Sequence, residues 1–139
     1  MLPNRFFSDR QGTAAIEFAI LAPVFILLLL TLVAFGVYLS AASSVQQIAA
    51  DAARAAVAGL NTAERNTLAR DFIRRSTLDY YLLDPARLSV KVDEDRQNAE
   101  QFTVRLEYAA DTLPIWGLYA FVMPDKKITR FSTIRIGGI

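Results

Sequence analysis

The sequence predicts an α+β fold: a long N-terminal transmembrane α-helix that continues into a small head with a short helix and a three-stranded antiparallel sheet. Two observations carry that expectation. The stretch from Phe18 to Leu39, FAILAPVFILLLLTLVAFGVYL, holds no charge, and beyond Leu88 the apolar residues change from helical spacing to alternation. A chain of 139 residues makes one modest domain with an appendage. Lys+Arg 15 against Asp+Glu 14 leaves a formal charge of +1, too weak a field to hold nucleic acid. The chain has no Cys and no His, which excludes disulfides, thiolate nucleophiles, Cys-ligated metals and imidazole acid–base chemistry.

The apolar stretch comes first. At about 1.5 Å per helical residue, Phe18 to Leu39 spans roughly 33 Å, enough to cross a hydrocarbon core of about 30 Å. A soluble amphipathic helix would carry a polar face at 3.6-residue spacing, and none is present. A cleaved secretory signal would have a shorter apolar run, about 7–15 residues, before a small-residue cut site. Arg5 and Arg10 precede the span, and no charge follows it until Asp51 and Arg54, so the N-terminus is expected on the cytoplasmic side and the C-terminal domain in the periplasm. Pro23 lies inside the span, where it removes one backbone hydrogen bond and is expected to kink the helix around Ala19.

The next stretch, SAASSVQQIAADAARAAVAGL, is rich in the best helix former and free of proline. The helix should therefore leave the bilayer, with 13–42 as the transmembrane part and 43–60 as its extension. Residues 61–139 form the head. Gly59 and Asn61 suggest a stop and a restart, and Asn61-Thr62-Ala63-Glu64 fits a capping box. Leu68, Phe72 and Ile73 then give a short helix an apolar face up to about Thr77.

Leu88, Val90 and Val92 alternate with polar residues, as do Phe102, Val104, Leu106 and Tyr108, with Glu94–Glu100 as the hairpin loop between them. Ile128 to Ile136 alternates as a third strand after a turn at Pro124-Asp125. Between strands two and three lies TLPIWGLYAFVM, whose Trp116, Tyr119 and Phe121 are either core or a docking patch.

Chemistry concentrates just before the span, in DRQGTAAIEF. Glu17 is a carboxylate at the mouth of an apolar helix, costly at a bilayer centre and less so near the interface. Gly12 offers a peptide bond without a side chain between charged and apolar segments, a suitable target for a membrane protease. A short basic leader, a glycine, a glutamate fifth after it and an unbroken apolar helix resemble a type IV prepilin. The finer run GTAAIEFAILAPVFILLLL with AFGVYL resembles the TadE-like family of minor pilins (pseudopilins) of Tad, or tight adherence, pili. FTVRLEY, LPIWGL and ITRFSTIRI are similar to that family's C-terminal half in a softer way. Gln11, beside the glycine, departs from a basic leader and leaves Arg10 as the nearest cation.

The resemblance implies a type IV pilin-like fold and a chain taking part in pilus assembly, initiation, or tip or shaft structure. It implies that residues 1–12 are a leader, cut by a prepilin peptidase between Gly12 and Thr13, with Glu17 and Phe18 serving processing or subunit docking. The leader's charges are Arg5, Asp9 and Arg10, so what remains is formally neutral. Implied partners are that peptidase, the major Tad pilin, a second (TadF-like) minor pilin and an inner-membrane platform driven by a cytoplasmic ATPase. The chain would sit in the bacterial inner membrane as a single-pass protein and enter a homo- or hetero-oligomeric extracellular filament. No catalytic residue, metal or cofactor is implied.

Other readings of the same residues are blander. A second reading is an uncleaved signal-anchored periplasmic scaffold or binding protein of the secretion/pilus machinery, its N-terminus still beginning before Gly12. A hydrolase built on Asp79 and Asp84 lacks a nucleophile motif such as a G-x-S-x-G elbow. Proton carriage by Glu17 fails on depth, because the residue stands at the membrane edge. Asp93-Glu94-Asp95 lacks the glycine and spacing of a calcium loop, and Arg70, Arg74 and Arg75 with nearby acids read as a solvated face. Ala15, Ala19, Ala22, Ala34, Gly36 and Ala41 permit close helix approach. Ala49, Ala52, Ala53 and Ala56 extend that slim face above the bilayer, as a helix-cored filament requires.

Overall fold

A computed structural model of the chain describes residues 10–76, 81–95, 97–98, 100–117 and 124–137. Helix α1 runs Arg10–Ala56, 47 residues, a rod of about 70 Å. Its last turn tightens, with Val57 N donating to Arg54 O and Gly59 N to Ala56 O, so residues 57–61 form the corner within the stretch read as a helical extension to 60. Helix α2, Thr62–Ser76, folds back from there. Asn61 Oδ1 accepts from Glu64 N, while Glu64 Oε2 accepts from Leu60 N, so the capping box closes one residue before the cap.

Strands β1 (Leu88–Glu94), β2 (Gln101–Ala109) and β3 (Lys127–Arg135) form an antiparallel meander in the order β1-β2-β3. The alternation of the sequence fixes which face is which. Val92, Val104, Leu106, Phe102, Tyr108 and Ile128 lie on the inner face and are buried, with Val104 opposite both Val92 and Ser132. Thr103, Arg105, Glu107, Thr133 and the 60% exposed Phe131 occupy the outer face. Both helices cover the inner face, α1 against β2 and β3, and α2 against β1, giving two layers around one core.

The core divides α1 into two zones. From Gly12 to Val33 no side chain of the rod is buried, and Ile16, Phe18, Ile20, Leu21, Val24 and Phe25 are all at least 60% exposed. From Ala34 onward one face closes: Ala34, Tyr38, Ala41, Val45, Ile48 and Ala52 step by four and three residues, flanked by Ala42, Ala49, Ala53 and Ala56, and all are buried. The slim alanine face read as a filament surface is therefore occupied by the protein's own head. Small side chains let the sheet approach the helix backbone, and no helix partner is needed to explain them.

Candidate functional site

The residues singled out for processing and docking lie on the bare zone of α1. Gly12 and Thr13 are exposed within its first turn, and the helix continues through both. A Cβ added to Gly12 would meet nothing within 4 Å, so the fold itself does not require glycine there. Glycine costs a helix interior about 1 kcal/mol relative to alanine. The Gly12–Thr13 bond thus lies beside a residue that weakens the helix.

Glu17 is exposed, one helical turn from Thr13 on the same face, and makes no ion pair or hydrogen bond among the described residues. Phe18 is 72% exposed beside it. Pro23 is exposed, and α1 runs unbroken through it. Nothing in the fold gathers these side chains into a pocket. Among the described residues they form a line along the uncovered stretch of α1.

The remaining carboxylates have local duties. Asp84 caps the 3₁₀ turn Pro85–Arg87, its Oδ1 accepting from Ala86 N at 2.9 Å. Asp79 lies outside the described residues, as do Tyr119, Phe121 and the leader up to Asp9. Asp93 faces Lys91 Nζ at 2.9 Å, Glu94 pairs with Arg65, and Asp95 accepts from Gln97 N and Gln101 Nε2. Among the described residues no cluster of three such ligands could hold a metal ion. Arg74 stands 3.8 Å from Asp71 on an exposed face, and Trp116 packs against the core with its Nε1 donating to Ala110 O.

Sequence reasoning missed two features. Arg65 is the buried charge of the described core: its Nε donates to Gly59 O at 3.1 Å, its Nη1 meets Glu94 Oε1 at 3.1 Å, and its guanidinium lies 4.8 Å from the Phe102 ring centroid. Gly59, read as a stop signal, has no left-handed backbone; it is needed because a Cβ would lie 2.7 Å from Arg65 Cγ and 2.8 Å from Arg65 N. The second is a pair of locks between rod and sheet. Tyr38 Oη donates to Asp125 O at 3.3 Å and Gln46 Nε2 to Phe131 O at 3.2 Å. A tyrosine closing an apolar run was the available signal.

An apolar helix whose most hydrophobic window is only 6% buried is not the core helix of a soluble domain. Joined to a small helix-and-sheet head, it gives the α+β architecture that the sequence predicts, and the bare helix is consistent with a membrane anchor. Residues 12–54 match the family model described as TadE-like protein, which supports a TadE-like protein associated with Tad pili, a family that is not one of enzymes. The matched stretch opens at Gly12 and closes within the alanine seam, so it covers the bare rod and the part that carries the sheet. No curated protein and no solved structure matches the chain.

Proposed function

We propose that this chain is a minor pilin of a Tad-type pilus, cut between Gly12 and Thr13 by a prepilin peptidase and then drawn from the inner membrane into a filament. One observation carries the reading. The TadE-like match begins at Gly12 and takes in a stretch, up to Val33, in which the described fold buries no large apolar side chain. In lipid those side chains are at home; in water they would aggregate, and in a filament other rods would cover them.

Cleavage creates an ammonium on Thr13 one turn from Glu17. Two such charges entering a packed apolar bundle unpaired would each cost several kcal/mol, so the acid of one subunit and the ammonium of the same or a neighbouring one form a register check on insertion. The major pilin, a second TadF-like minor pilin and the inner-membrane platform are the surfaces that meet the rod. The head, locked to the upper rod, travels with it as one body facing the periplasm and then the exterior.

Intact mass of the protein from membranes with and without the peptidase tests the reading. A start at Thr13 that depends on the peptidase is expected. An unchanged N-terminus in assembled material would overturn it and favour a signal-anchored scaffold. Gly12→Ala should abolish the cut while leaving the head's thermal unfolding unchanged, since nothing in the fold occupies the added methyl's place. Loss of cleavage then reports the protease rather than misfolding.

A further inference from the structure

We infer that the end of the head nearest the span is seated in the phospholipid headgroup layer, a second membrane contact beside the rod. The inference rests on the reading of Phe18–Leu39 as a membrane span. Direction comes from the two locks: Tyr38 bonds Asp125 and Gln46 bonds Phe131, so β3 rises along α1 away from the bilayer. The end of the head at Tyr38 level therefore holds the start of β1, the end of β2 and the start of β3. The β1–β2 hairpin points the other way.

Depth comes from charge and length. With Glu17 held at the near boundary, a hydrocarbon core of about 30 Å ends some 20 residues later, near Tyr38. The core nevertheless covers Ala34 completely, and Leu30 and Thr31 are half-buried. Phe18 to Val33, the part free of the head, measures only about 24 Å, roughly 6 Å short of the core, and tilting the rod widens the gap. The head's lower end therefore crosses the headgroup layer, about 5–7 Å thick, and reaches the margin of the hydrocarbon.

The side chains there suit that layer. Tyr81 is fully exposed, Leu82 is 40% exposed, and Pro114 is exposed on the segment that also carries the half-buried Trp116. The Lys126 ammonium lies 5.5 Å from the Trp116 ring centroid, the pairing of aromatic and lysine found at bilayer interfaces. Arg87 is paired with Asp84 and Asp111 and Lys127 with Glu107, and Asp125 offsets the charge of Lys126, so the described residues at this end have no surplus of positive charge. Contact is therefore through amphipathic side chains with zwitterionic phospholipid and does not require anionic lipid.

Trp116 is the chain's one tryptophan, which makes it a reporter. The full chain is reconstituted in phosphatidylcholine vesicles carrying a nitroxide on the headgroup, high on the acyl chain, or near the chain's methyl end. Several-fold stronger quenching by the two shallow labels than by the deep one, with little quenching by aqueous acrylamide, is expected. Quenching by acrylamide alone, in protein that resists carbonate extraction, would overturn the seating and leave the span intact. Shielding that grows with protein-to-lipid ratio but not with nitroxide would also overturn it, pointing to another copy of the chain. Release by carbonate would overturn the span, and the seating with it.

Discussion

Arg65 shows how a single residue couples distant parts of this fold. It sits on α2 at the step before Ala69 and Ile73, so the helix's buried line has a guanidinium at its head. Its donors serve the corner carbonyl of Gly59 and the carboxylate that ends β1, and its plane covers Phe102. Arg65→Met keeps the stem and deletes the donors; with Glu94 44% exposed and able to rehydrate, the cost is about 1–3 kcal/mol, chiefly the stranded Gly59 carbonyl. Gly59→Ala meets the immovable backbone N of Arg65 and should cost a similar 1–3 kcal/mol by overpacking. Thermal unfolding of the full chain in detergent micelles measures both. A neutral Gly59→Ala would mean that the corner is looser than this packing. The glycine was legible in the sequence as punctuation, but its reason was not. The atoms that demand it belong to a residue six positions on, and the ion partner lies 29 positions away, where periodicity says nothing.

At the scale of elements, the sequence was most legible where burial imposes a period. Each strand shows its two faces by alternation, and the hairpins follow, because one-residue slips would turn Phe102, Val104 and Leu106 to solvent. The long apolar helix was legible from its lack of charge. The upper half of α1 was not, since alanines permit close approach by any partner and composition does not name which one. The steps of four and three from Ala34 to Ala52 mark a seam, but only the fold shows the sheet filling it. The residues proposed for processing stand out as a motif for the opposite reason: among the described residues nothing in the head uses them. Ala49→Leu, at a fully buried seam position, should destabilise the head by about 1–3 kcal/mol through overpacking. Leu39→Ala, on the open side at 59% exposure, should leave its unfolding nearly unchanged. If the two variants unfolded alike, the sheet would not be packed on this side of the rod.

For the whole molecule, the decisive fact is that head and rod are joined over the upper half of α1, so anything that sets the rod's depth also sets the head's height. Glu17 is the nearest charge below the span, and entry of a carboxylate toward the bilayer centre costs roughly 2.5–3.5 kcal/mol on insertion scales. It acts as a stop. Glu17→Leu removes the stop and leaves the next charge lower down, the Thr13 ammonium in a processed chain or Arg10 in an unprocessed one. The rod can then rise by about 6–10 Å, the length of four to seven helical residues, placing its bare zone across the full hydrocarbon thickness. Tyr38 and the locked end of the sheet rise with it. Trp116 should accordingly lose quenching by the label high on the acyl chain relative to the headgroup label and gain accessibility to acrylamide, while the protein stays resistant to carbonate. Glu17→Asp, which keeps the charge, should keep the wild-type depth. Unchanged quenching in Glu17→Leu would show that something other than this carboxylate fixes the rod, and would separate the acid's role in seating the subunit from any role it has in assembly.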